Sequence, residues 1–397
     1  MKSPTRMSKK RSSRTARWLR LSVFGAGLTG FAIAYRFALS YRERASLPHR
    51  SPVETSPAEF GLVFEQVEIP AGDHHLVGWF VPAEPEAAPK KARSGARTKV
   101  LANAAEPPPA TTAATASAEP PERRPAIVVV HGWESNRGRT FAHARYLHAA
   151  GFHCLVFDVR GHGDSPEETL PINVPEFAED TVAAARWAAA RPEVSAVGVL
   201  GHSMGGAGAI VAASHEPLIK AVVSASAPAD LVRMTRKTFQ MAGMQIPEPI
   251  ATPLAWFTAA VLLIPRRHSV EDASATAAAA RYWGPLLLIH GAQDHGVPVA
   301  HLELIARAAV GGRGREDDPP VETLVLPDFG HRWLYEDAGC RRKTATFFAR
   351  WLGGPVAAAT AGERAAACVV ERPADPIYGF GTAASKTPPS DRTTAFD

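Results

Sequence analysis

The chain has 397 residues, 46% hydrophobic and 21% charged, the composition of a globular protein long enough for one large α/β domain or two smaller ones. Its formal charge of +5 is not that of a nucleic-acid protein, because the excess sits at one end: the cations from Lys2 to Arg20 precede the first acid, Glu43, and the rest is close to neutral. Cys154, Cys340 and Cys368 are few, odd in number and far apart, which excludes a disulfide framework and gives no zinc pattern.

Residues 1–17 form a basic tail. The segment 18–40 follows, with an uncharged core, LSVFGAGLTGFAIAY, bracketed by Arg20 and Arg36. A membrane span needs about 20 apolar residues. Trp18 to Ser40 reaches that length if both arginines bend toward the headgroups. The segment therefore predicts a single-pass anchor, with the basic end cytoplasmic and the following domain exported. The alternative is a signal peptide cut after the small residues Ala32–Ala34, which would give a secreted domain. A soluble amphipathic helix fits the all-round apolar character poorly.

The main domain is expected over 58–353. Gly61 to Glu84 alternates apolar and polar residues around a Gly-Asp turn and predicts a β-hairpin. Residues 85–124 turn to Ala, Pro, Thr and Glu with little to bury, as in a flexible surface insertion. Beyond it come continuous apolar runs: AIVVVHG, FHCLVFDV, VSAVGVLG, IKAVVSASA, PLLLIHG and VETLVLP. Such runs suit strands covered on both faces. Helical stretches alternate with them, which predicts a mostly parallel sheet between two helical layers. Residues 231–281 lack a strand and predict a helical cap. Residues 354–397 are expected to be a mostly disordered tail.

The chemistry centres on Val199–Gly208, VLGHSMGGAG. It places Gly201-His202-Ser203-Met204-Gly205 as G-x-S-x-G between a buried strand and a helix. In a nucleophile elbow the serine takes strained backbone angles and projects its hydroxyl above the sheet. The helix N-terminus adds free N–H groups where negative charge develops. A serine needs a base and the base a carboxylate. His331, in FGH, follows the last predicted strand; Asp294, in IHGAQDHGVP, follows another. The order Ser203, Asp294, His331 is that of an α/β-hydrolase triad. All three lie beyond strand C-terminal ends, where open α/β sheets gather their sites.

From about Phe60 to Leu352 the chain resembles the α/β-hydrolases, in the serine hydrolase branch with esterases, monoglyceride lipase-like enzymes and the serine aminopeptidase group. VVVHGW, DVRGHGDS, GHSMGG and IHGAQDHGVP with FGH carry the resemblance. It implies that Ser203 attacks a carbonyl, His331 shuttles the proton and Asp294 fixes the imidazole. It implies also that the N–H groups of Trp133 and Met204 hold the oxyanion. Where the family's lipases often have HGGG, this chain has His131-Gly132-Trp133-Glu134, so an indole stands beside the acyl site.

The expected activity is hydrolysis of a small-molecule ester or lipid-like substrate through an acyl-enzyme, with no metal or organic cofactor and no nucleic-acid partner. Membrane association through the N-terminus is expected. An exopeptidase or amidase of the aminopeptidase group is the alternative, with Glu271 or Asp272 as candidates to hold a substrate amine; a catalytically silent binding protein is a third reading. Asp328 and Asp337 compete with Asp294 for the carboxylate role, and Asp328 is too near His331 in the chain to suit it. His295 is expected to be a bystander and His131 to shape its loop. Asp158, Arg160, His162 and Asp164 suit a structural turn better than a metal site.

Overall fold

The computed structural model describes residues 29–84, 122–311, 313, 318–354 and 356–370. Its strands are β1 (Glu65–Ala71), β2 (His74–Val81), β3 (Arg124–Val130), β4 (His153–Phe157), β5 (Val194–His202), β6 (Ile219–Ala225), β7 (Leu286–Gly291) and β8 (Val321–Leu326). They make one sheet in the order β1-β2-β4-β3-β5-β6-β7-β8. β2 runs antiparallel to β1 and β4, and all other pairings are parallel. This is the mostly parallel sheet with helices on both faces that the apolar runs predict. Every residue of β3 and β4 is buried, whereas the edge strand β1 alternates between core and solvent.

Strand alternation divides the core in two. Val128 and Val130 of β3 face one layer with Phe177 and Ile210, from α3 (Val174–Ala189) and α4 (Met204–Ala213). Ile127 and Val129 face the other with Phe141 and Phe348, from α2 (Arg137–Ala149) and α9 (Ala338–Leu352). Each layer buries one face of the sheet, which keeps the strand ends in fixed register and gives the site a rigid base.

Between β6 and β7 the chain leaves the sheet as α5 (Leu231–Met241), α6 (Glu248–Leu263) and α7 (Ala275–Arg281), the expected cap, and α8 (Ala300–Val310) links β7 to β8. Asp230 starts α5 by accepting from the Arg233 amide at 2.8 Å, and Ser274 starts α7 by accepting from the Ala277 amide at 3.1 Å. A helix over 29–45, here α1, lies along the cap. The Phe37 ring meets Phe239 at 5.5 Å and Ala38 is fully buried. The later part of the expected anchor 18–40 therefore rests on protein; residues 18–28 and the basic tail lie outside the described residues.

The insertion is outside them from 85 to 121. Its two ends meet, because the Arg124 guanidinium at the start of β3 donates to the Glu84 carbonyl at 2.7 Å. Two elements depart from the sequence reading. α9 forms where no element is expected after β8. Within the tail expected to be disordered, Ala358–Ala367 form a further helix, α10, that packs on α9. Arg341 of α9 explains it: its guanidinium donates to the carbonyls of Ala365 at 3.0 Å and Ala366 at 2.7 Å, satisfying the open C-terminal end of α10. Residues 371–397 lie outside the described residues.

Candidate active site

Ser203 sits between β5 and α4 with φ 55° and ψ −122°, a strained conformation for a residue with a side chain. Close packing around it leaves no room for side chains. A Cβ on Gly201 would stand 2.2 Å from the Gly205 carbonyl oxygen, and one on Gly205 would stand 2.3 Å from that of His131. The Ser203 amide donates to the Ala225 carbonyl at the end of β6, at 2.8 Å. Strand, helix and neighbouring loop thus clamp the turn, and the hydroxyl is left on the C-terminal edge of the sheet.

Asp294 follows β7, and its loop is fastened to the one that carries His331. The Ala292 amide donates to the Leu326 carbonyl and the Gln293 amide to the Phe329 carbonyl, both at 2.9 Å. Asp294 Oδ1 accepts from the amides of Gly296 at 3.0 Å and Val297 at 2.8 Å. Its Oδ2 stands 2.6 Å from His331 Nδ1 and 3.4 Å from His290 Nε2. Burial alone would raise the pKa of this carboxyl. The bonds from His290, His331 and the Val297 amide outweigh burial and hold it well below the ordinary value.

His331 closes the chain of contacts, with Nε2 2.9 Å from Ser203 Oγ. An ionised carboxylate can only accept, so Nδ1 carries the ring proton and Nε2 is left to accept from the serine hydroxyl. The structure thus brings Ser203, His331 and Asp294 into one hydrogen-bonded line, drawn from three separate strand ends.

Trp133 and Met204 flank the serine. Met204 is the first residue of α4, so its amide has no intrahelical acceptor. Trp133 follows Gly132, where an added Cβ would lie 3.0 Å from Ser203 Cβ. His131 fixes that peptide. Its Nε2 accepts from the Val159 amide at 3.0 Å, so its Nδ1 carries the proton and donates to the Gly132 carbonyl at 2.7 Å. In a trans peptide the Trp133 N–H then points away from the ring. Complete burial and the neighbouring His162 lower the pKa of His131 and keep it neutral. The Trp133 indole packs edge-on to His162, with ring centroids 5.5 Å apart.

The competing residues stand apart from this line. Asp328 and His295 are exposed, and Asp337 caps α9 by accepting from the Cys340 amide at 2.6 Å. Glu271 takes Arg281 at 3.0 Å, and Asp272 accepts from the Ser269 amide at 2.7 Å and hydroxyl at 2.8 Å. In DVRGHGDS, Asp158 binds the Arg137 side chain and amide, Arg160 binds Asp180, and the Asp164 amide donates to Asp158 at 2.9 Å. This is the hydrogen-bonding pattern of a tied turn.

His202, inside the G-x-S-x-G motif, has a part that sequence reasoning misses. Its Nε2 lies 2.8 Å from the His331 backbone carbonyl. A carbonyl only accepts, so this nitrogen bears a proton. Burial pushes the His202 pKa down to about 3, so the ring is neutral at ordinary pH. The signal lies in a contact spanning 129 residues, which no local pattern reveals.

Comparison with known proteins agrees with this fold. Residues 121–263 match the family described as "Serine aminopeptidase, S33". An uncharacterized protein of Mycobacterium tuberculosis, Rv2307c, is 29% identical over 224 residues, 54% of this chain and 71% of that protein. Among solved structures, the Pyrococcus furiosus esterase Pf2001 aligns with a TM-score of 0.55 at 21% identity, covering 78% of this chain and 98% of the esterase. With its eight-stranded, mostly parallel sheet and its serine on a strand-to-helix elbow, the chain has the α/β-hydrolase fold.

Proposed function

We propose that the protein is a serine hydrolase that cleaves a carboxylic ester of a small or lipid-like molecule. The observation that supports this most is the unbroken line from Ser203 Oγ through the His331 ring to Asp294, at 2.9 and 2.6 Å. Ser203 Oγ attacks the ester carbonyl carbon while His331 Nε2 takes its proton. Asp294 holds the ring in the tautomer that can accept and stabilises the imidazolium. The carbonyl oxygen becomes an oxyanion that accepts from the Trp133 and Met204 amides. One such donor is worth about 10²–10³ in rate. The carbon–oxygen bond to the leaving group breaks, and His331 returns the proton to the departing alkoxide. Water then attacks the acyl-enzyme, gives its proton to His331, and releases the acid as that proton goes back to Ser203.

A second reading is an exopeptidase, favoured by the match to the serine aminopeptidase description. Cleaving an N-terminal residue calls for an anionic group to hold the substrate amine. Glu271 and Asp272 are already engaged by Arg281 and Ser269, which favours the ester. In either case, the basic tail and the apolar segment after it tether the domain to a membrane. Rates on a series of p-nitrophenyl esters and on aminoacyl anilides separate the readings. Faster ester hydrolysis that disappears in Ser203→Ala is expected. Anilide hydrolysis at a higher rate would replace the ester reading, and inactivity on both would favour a binding protein.

A further inference from the structure

We infer that the outer face of the cap, formed by α6 and the start of α1, lies flat on an anionic lipid bilayer. The inference rests on the membrane tether proposed above and adds to it a second, folded contact.

No charged side chain occurs from Pro249 to Ile264. One side of α6 is packed into the fold through Ala251, Ala255, Ala259 and Leu262. The other side leaves Ile250 57%, Trp256 55% and Ile264 59% exposed, with Pro253 exposed between them. A surface helix of a soluble protein carries polar residues there. The stretch Glu248–Arg266 is long and apolar enough to cross a membrane, with a mean hydropathy of 1.3. With one side already buried in protein, it suits a helix lying in the interface rather than one spanning the bilayer.

α1 extends the same surface. Phe31 is 59% and Ile33 65% exposed. The rings of Phe31 and Tyr35 meet Phe257 of α6 at 5.6 and 6.5 Å, so the two apolar faces are continuous. Contiguous apolar patches beyond a few hundred Å² are uncommon on monomers and mark interaction sites.

The chain that leads into this patch identifies the occupant. Leu21 to Tyr35 is without charge, and Lys2, Arg6, Lys9, Lys10, Arg11, Arg14, Arg17 and Arg20 precede it with no acid among them. Basic residues near an anionic surface each add electrostatic attraction. A buried apolar face then supplies the second signal that stable membrane attachment needs. Arg36 and Arg267, both exposed, stand just beyond the apolar stretches of α1 and α6, where headgroups would lie. A protein partner would match the apolar strip but would not account for its continuity with this lead. Because the cap springs from the sheet edge that carries Ser203, a docked cap keeps that edge close to the lipid.

The test uses the full chain with Cys368→Ser, since Cys154 and Cys340 are buried. A polarity-sensitive fluorophore is attached to a new cysteine in Ile250→Cys, Ile264→Cys or, as a control, Leu218→Cys. Leu218 is exposed just before β6, at the opposite edge of the sheet. Mixed phosphatidylcholine and phosphatidylserine vesicles are added, and flotation is measured in parallel. The expected result is a blue shift at 250 and 264, quenched by spin-labelled lipid, with no change at 218. Flotation with positions 250 and 264 still in water would overturn the docked cap while leaving the tether standing. Failure to float would remove both. A shift without vesicles that grows with protein concentration would assign the strip to a second copy of the chain and overturn the lipid assignment.

Discussion

His202 donates from Nε2 to the backbone carbonyl of His331 at 2.8 Å, joining the nucleophile elbow to the loop that carries the proposed base. The bond sets the loop's distance from Ser203 without touching the reacting atoms. His202→Ala leaves that carbonyl without its partner and lets the His331 loop drift. A misplacement of about 1 Å can cost about 10² in rate. We therefore expect kcat to fall by up to about 100-fold with KM nearly unchanged, and His202→Gln, which keeps a donor, to recover part of it. A loss confined to KM would contradict the positioning role.

Asp294→Asn tests the tautomer. The asparagine amide would donate toward His331 Nδ1, leaving the proton on Nε2, where it cannot accept from Ser203. The corresponding change in serine proteases lowers kcat by about 10⁴. A similar fall is expected here, with the fold retained by circular dichroism. Since bonds from His290, His331 and the Val297 amide outweigh burial and hold the Asp294 pKa low, the wild type should not lose activity through protonation of Asp294 in mildly acid solution. An acid limb assigned to this carboxyl by comparison of variants would contradict that.

The elbow holds Ser203 in a strained backbone conformation. Ser203 has φ 55°, so a residue without a Cβ should relax there. Thermal unfolding of Ser203→Gly is expected to show greater stability than Ser203→Ala, by an amount on the order of 1 kcal/mol. Gly201→Ala is expected to act in the other direction, losing about 1–3 kcal/mol or more, because its Cβ would meet backbone that cannot move aside. Equal melting temperatures for Ser203→Gly and Ser203→Ala would show that the turn is unstrained.

The inner strands were legible because they are buried on both sides: AIVVVHG and FHCLVFDV are runs that only a covered strand or a core helix needs. The Ser203, Asp294 and His331 positions followed from strand ends and chain order. What was not legible depends on distant partners. α10 is mostly alanine and has little to bury by itself; it is held by Arg341, 24 residues before Ala365. α9 mixes Arg341, Arg342 and Lys343 into its middle and hides Phe347 and Phe348 only because a sheet face is there to receive them. His202 reads locally as a motif residue, and its partner comes 129 residues later.

The cap is fastened to α3 by a group that titrates. His268 Nε2 stands 2.9 Å from Glu176 Oε1 and 3.6 Å from Glu179, and Arg266 nearby bonds Glu168 and the Pro171 carbonyl. The Glu176 contact raises the His268 pKa against partial burial, with Glu179 and Asp272 adding attraction. A raised folded pKa means that this stabilisation is complete below the unfolded value, about 6.5, and fades as pH rises through the folded one. The melting-temperature gap between wild type and His268→Gln should therefore be widest in mild acid and shrink above neutrality. A gap independent of pH would contradict a charged His268.

The proposed mechanism requires Ser203 to be a nucleophile activated by His331. Mass spectrometry of the full chain after reaction with a fluorophosphonate tests this directly. One adduct per chain is predicted, on the peptide that contains Ser203, abolished in Ser203→Ala and strongly slowed in His331→Ala. No adduct in the folded wild type, or one located on another residue, would contradict it.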